Sequence, residues 1–109
     1  MAKKVYLGRD NAIYPVLYKD GSPYTGLASI TKMTLHFGDT VISSDDYSDN
    51  FDWTTEANTG EVAMKLGVPC ETEGVSADSY QAELYVFDAS NTNGVFWGYI
   101  PVVVIDLDS

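Results

Sequence analysis

A chain of 109 residues, 45% of them hydrophobic, has the material for one domain with its own core. Its formal charge of -10, from 6 basic and 16 acidic residues, argues against a nucleic-acid binder, which needs cations to neutralise phosphates. There is no run of apolar residues long enough for a membrane span, and Cys70, the single cysteine, leaves no internal disulfide.

The opening Met1-Ala2-Lys3-Lys4 is basic but leads into no apolar h-region, so no signal peptide is expected. Lys3–Leu7 reads as the first strand, ended by Gly8. Ala12–Tyr18 reads as the second, with Pro15 marking an edge or a bulge. Residues 19–23, Lys-Asp-Gly-Ser-Pro, are a turn. In Ile30–Phe37, Met33, Leu35 and Phe37 alternate with Lys32, Thr34 and His36, the pattern of a half-buried strand. Gly38-Asp39 turns the chain into Thr40–Ser43, and the acidic stretch Ser44–Asn50 reads as an exposed loop.

Phe51–Thr54 is a brief strand holding Trp53. Residues 58–60 turn into Glu61–Leu66, where Val62, Met64 and Leu66 alternate with polar neighbours, and Val68–Ser79 reads as a loop. In Tyr80–Asp88 one face carries Tyr80, Ala82, Leu84 and Val86; the other carries Gln81, Glu83, Tyr85 and Phe87 and is itself partly apolar. Asn91-Thr92-Asn93-Gly94 signals a hairpin into Val95–Tyr99 and Val102–Leu107, interrupted at Pro101. The run from Val102 to Ile105 suggests a strand covered on both faces. Roughly seven or eight short strands and no helix predict an all-β, two-sheet antiparallel sandwich over residues 1–109, with a small β-barrel as the alternative. The expected core is Met33, Leu35, Phe37, Val62, Met64, Leu66, Leu84, Val86 and Val104.

Catalysis needs convergent groups, and the sequence offers few. His36 is the sole histidine and alternates onto a polar face, with no second histidine for a metal site. Ser29-Ile30-Thr31-Lys32 matches an S-x-x-K spelling but enters a strand rather than a helix and lacks the companion motifs. Asp45, Asp46, Asp49 and Asp52 raise a calcium hypothesis, yet the stretch has neither the glycine nor the glutamate of an EF-hand loop. A solvated loop is the plainer reading, with a weak ion or contact site as the alternative. No catalytic, cofactor-binding or metal residues are assigned.

The aromatics are numerous: eight Tyr, four Phe and two Trp, with Phe96-Trp97-Gly98-Tyr99 setting large rings on both faces of one strand. Rings left outside the core suit a protein interface or carbohydrate stacking, the latter using Trp53, Trp97 and Tyr99. The charge is also uneven. The first 32 residues hold five basic against two acidic side chains; the rest holds Lys65 against fourteen acids. Lys3, Lys4 and Arg9 flank Val5, Tyr6 and Leu7 in a charged-and-apolar stripe, which can either dock on an acidic neighbour or complete the domain's own sheet. The expected partner-binding residues are Lys3, Lys4, Val5, Tyr6, Leu7, Arg9, Trp97 and Tyr99.

Read in order, residues 4–11 (Lys-Val-Tyr-Leu-Gly-Arg-Asp-Asn), residues 20–23 ahead of residues 30–35, residues 60–67, residues 80–84 and residues 93–97 ahead of a Val-rich strand form a pattern. It resembles small virion proteins of tailed bacteriophages with an immunoglobulin-like sandwich, and is similar to the N-terminal domain of phage upper-baseplate proteins. The resemblance implies a non-enzymatic structural protein without cofactors. It would be assembled in the host cytoplasm into the virion, in several copies or as a homo-oligomer, against other virion proteins. It leaves open capsid surface, head–tail joint or tail. A carbohydrate-binding module is the alternative function.

Overall fold

A computed structural model describes residues 2–108; Met1 and Ser109, the two ends of the expected 1–109 domain, lie outside them. In chain order the elements are β1 (Lys3–Tyr6), β2 (Tyr18–Lys19), β3 (Ser22–Pro23), β4 (Ile30–Phe37), β5 (Thr40–Ser43), β6 (Phe51–Asp52), β7 (Ala63–Met64), helix α1 (Gly67–Glu73), β8 (Asp78–Asp88) and β9 (Val95–Ile105). The fold is all-β in character. A five-stranded sheet runs in the order β1-β9-β8-β4-β5, and β2–β3 and β6–β7 are separate two-stranded ribbons. None of the described helices is long and apolar enough to cross a membrane.

The longest pairing is the β8–β9 hairpin, eleven residues on each side. The turn before β9 closes through Gly94, whose φ of 85° is cheap for glycine and costly for a residue with a Cβ. Alternation then sorts the side chains. Ala82, Leu84 and Val86 on β8, Ile100, Val102 and Val104 on β9, Met33, Leu35 and Phe37 on β4, Ile42 on β5 and Val5 on β1 are all buried. They join one core with Ile13, Leu17, Leu27, Phe51, Val62, Met64 and Leu66 from the segments lying across the sheet. All nine expected core residues are buried.

Several expectations need correction. The sheet is mixed, because β1 pairs with β9 in parallel, Lys3 opposite Val102 through Tyr6 opposite Ile105. Apolar periodicity carries no strand direction, and with most of the chain lying between β1 and β9 a parallel pairing is open to them. Ala12–Tyr18 is no continuous strand. Pro15 has no N–H to give, and the segment meets residues 60–64 through isolated bridges at Ile13 and Val16. Pro101 does not interrupt β9; it sits within it, opposite Gln81. Val103 and Ile105 are half-buried, so the Val102–Ile105 run is fully covered on one face alone. Within the acidic stretch, Ser48–Asn50 forms a 3₁₀ turn.

The expected loop Val68–Ser79 contains α1. Pro69 lies in its first turn, where a missing N–H costs nothing, and Gly74 ends it with φ 80°. Gly67 starts the helix against the end of β1. Gly8 N–H donates to Gly67 O at 2.9 Å, and a Cβ on Gly67 would stand 2.2 Å from Tyr6 O and 2.3 Å from Arg9 O. At the other end, Tyr47 Oη, just beyond β5, donates to Glu73 Oε2 at 2.5 Å. The helix is thereby tied near both edges of the sheet, which curls around the core.

Two measurements check this packing. Leu84 is 2% exposed at the centre of the sheet. Leu84→Ala is expected to cost about 2–5 kcal/mol in denaturant unfolding, and an unchanged midpoint would refute its placement. Cys70 is fully buried on α1, and burial pushes its thiol up to about 12. At pH 7–9 it therefore stays protonated and shielded. Iodoacetamide is expected to leave the native protein unlabelled and to label it in denaturant; rapid native labelling would show the helix to be open.

Candidate contact surface

On the face of the sheet away from the core, strand register brings rings together. Tyr85 lies opposite Thr34 on one side and Phe96 on the other, and Glu83 lies opposite His36 and Tyr99. The ring centroids follow at 4.6 Å for His36–Tyr85, 5.5 Å for Tyr85–Phe96 and 5.2 Å for Phe96–Tyr99. Polar groups hold the row in place. Tyr85 Oη donates to Glu83 Oε1 at 2.8 Å, which raises the phenol's pKa because ionisation would set two anions together. His36 Nε2 shares a hydrogen bond of 3.2 Å with Thr34 Oγ1. The Lys32 ammonium stands 4.9 Å above the Phe87 ring and 3.4 Å from Asp45. The row ends in open solvent, with Phe96 47% and Tyr99 61% exposed.

A bulge after Leu84 separates the aromatic cluster of β9. Leu84 faces Gly98 while Tyr85 faces Phe96, so Trp97 is the extra residue, and Gly98 takes φ 147°. Trp97 turns onto Tyr24 at 5.1 Å and leaves Tyr99 to meet Phe96. Beside the bulge lie two adjoining grooves of about 210 and 290 Å3 that share Tyr18 and Trp97. Of the nine exposed large hydrophobics among the described residues, Val16, Tyr18, Val95, Phe96 and Tyr99 line these grooves. Trp97 Nε1 is buried without an acceptor, alone in this among the described side chains.

The expected site residues are divided by this geometry. Lys3, Lys4, Val5 and Tyr6 form β1, an edge strand inside the domain's own sheet, with Val5 in the core. Leu7 N–H continues that pairing to Ile105 O at 2.9 Å, and Arg9 reaches Asp108 at 3.9 Å on the surface. Trp97 and Tyr99 lie at the grooves, on the part of β9 before Val102, where the pairing with that stripe begins. The three rings of a carbohydrate platform do not share a plane or a place. Trp53 is half-buried and donates to Ile30 O at 3.1 Å, Trp97 packs on Tyr24, and Tyr99 meets Phe96 at 73°.

The acidic stretch is engaged locally. Asp52 accepts the Thr55 hydroxyl at 2.6 Å and the backbone N–H groups of Thr54 and Thr55, which lowers its pKa. Asp45 pairs with Lys32. A hollow of about 490 Å3 lies between these acids and Trp53. Among the described residues, no three His, Cys, Asp or Glu side chains are placed to hold a metal ion.

The grooves and the bulge were not legible as a site in the sequence. One signal was present: Pro101, which divides β9 into a part that β1 covers and a part that it does not. Comparison with protein-family models, curated proteins and solved structures found no match to this chain.

Proposed function

We propose that this chain is a non-enzymatic structural domain that joins other proteins of a tailed-phage particle through its aromatic surface. The observation that carries the reading is the gathering of five exposed large hydrophobics around two grooves beside β9. Apolar patches of this kind mark contact sites, and Tyr, Trp and Phe are the residues enriched at the centres of protein interfaces. The particle itself comes from the resemblance of the strand-and-turn pattern to small virion proteins. On this reading the five-stranded sheet and the ribbons across it are the two layers of an immunoglobulin-like sandwich. The domain is held in the virion in several copies, assembled in the host cytoplasm. Cys70 is sealed in the core and His36 is engaged with Thr34 and Tyr85, which favours binding over catalysis.

The tilt of the outer rings, 49° to 73° between neighbours, favours a protein over a flat sugar face. In cultures producing the particle, the chain is expected to co-sediment with it through a density gradient. Phe96→Ser with Tyr99→Ser changes exposed rings alone, so the fold should stand while incorporation falls at least about tenfold, the equivalent of about 1.4 kcal/mol. A wild-type chain recovered entirely away from the particles would contradict the proposal.

A further inference from the structure

We propose that the β9 edge from Val95 to Ile100 is a strand-addition site for an extended apolar segment of a partner protein, flanked by lysine or arginine. This rests on the contact-domain reading and says how the contact is made.

β9 has eleven residues, and β1 covers Val102–Ile105 alone. Leu7 N–H donates to Ile105 O, so alternation aims the backbone groups of Ile105, Val103, Pro101 and Tyr99 toward the β1 side. Pro101 has no N–H to donate there, and the pairing with β1 stops beside it. Past the bulge, Phe96 opposes Tyr85, whose neighbour across the sheet is Thr34. β8 carries the same alternation through the bulge, so Tyr85 turns its backbone groups to β4 and Phe96 turns its own outward. Among the described residues, neither Phe96 nor Tyr99 N–H donates to a backbone acceptor outside the β8–β9 ladder. Among the described residues, no strand pairs with β9 on this side before Val102.

Natural sheet edges are guarded by charges, prolines or bulges. Val95–Ile100 carries no charge; its guards are Pro101 beyond one end and the bulge at Trp97, which limit an incoming chain to a short segment. The grooves run along this edge, with Val16, Tyr18 and Tyr24 as the facing wall, apolar enough to seat alternate side chains. Trp97 lines both grooves with its ring, and its indole N–H is buried behind them.

Charge selects the occupant. Asp88 lines the groove, and Glu83 lies opposite Tyr99 on the neighbouring strand. Against these two acids stands Lys19, whose ammonium already lies 5.5 Å above the Tyr24 ring. Basic residues flanking the added strand would meet this rim. A second copy would bring the same acids and a further formal charge of -10.

The test is selection from a library of random peptides of about twelve residues on the immobilised full-length chain, followed by amide exchange on the complexes. Enriched peptides are expected to alternate apolar residues between basic ends and to slow exchange at Phe96 and Tyr99 at least about tenfold. Tyr99→Pro removes the outward N–H at an edge position that tolerates proline and should weaken binding more than Tyr99→Ala, which keeps it. If Tyr99→Pro does not fold, exchange in the wild-type complex still decides. Peptides that protect no edge amide, or that lack alternation and basic ends, would overturn strand addition, as would failure to enrich any. A dimer in light scattering with protected Phe96 and Tyr99 amides would make a second copy the occupant and overturn the proposal. Co-sedimentation of the wild-type chain with particles judges the contact-domain reading separately.

Discussion

The structure depends on one ladder, the pairing of β8 with β9. These are the two longest strands, joined by a short turn, and β4 and β1 add to their outer sides. Each buries one row of side chains in the common core: Ala82, Leu84 and Val86 from β8, and Ile100, Val102 and Val104 from β9. The short ribbons and α1 could not stand without that surface, since isolated two-stranded pieces are marginal in water. Burial of apolar area there is the main favourable term, and the hydrogen-bonded ladder fixes which residues receive it.

The same ladder creates the exposed surface. A strand shows alternate residues to opposite faces, so a β8 that buries Leu84 must present Tyr85 outward. β9 brings Phe96 and Tyr99 to the same outer row. The bulge then diverts Trp97 from that row onto Tyr24, and the indole ends beside the grooves. The formal charge of -10 sets copies of the chain against one another, while the outer rings Phe96 and Tyr99 stay exposed.

Much of this was legible in the sequence. The nine core positions follow from alternation on four segments, a signal that depends on burial of one face and survives errors in strand length. The β8–β9 turn was marked by Asn93-Gly94, and the partly apolar second face of β8 was visible in Tyr85 and Phe87. Strand direction was not, because a parallel and an antiparallel β1 bury Val5 equally well. Helix α1 was hidden by its brevity: seven residues give no helical period, though Pro69 and Gly74 punctuate its two ends. The direction of Trp97 was set by a one-residue bulge, which no periodicity of two can announce.

The central claim is that β9 is paired on both sides beyond Pro101 and on one side before it. Amide hydrogen exchange of the free protein reads this residue by residue. Ile100 and Val102 direct their N–H groups at β8 and should exchange only with global opening. Tyr99, between them and the bulge, directs its own away from β8 with no backbone acceptor among the described residues, and should exchange far faster than Ile100. Protection at Tyr99 equal to that at Ile100 would show the edge to be closed and would contradict the account.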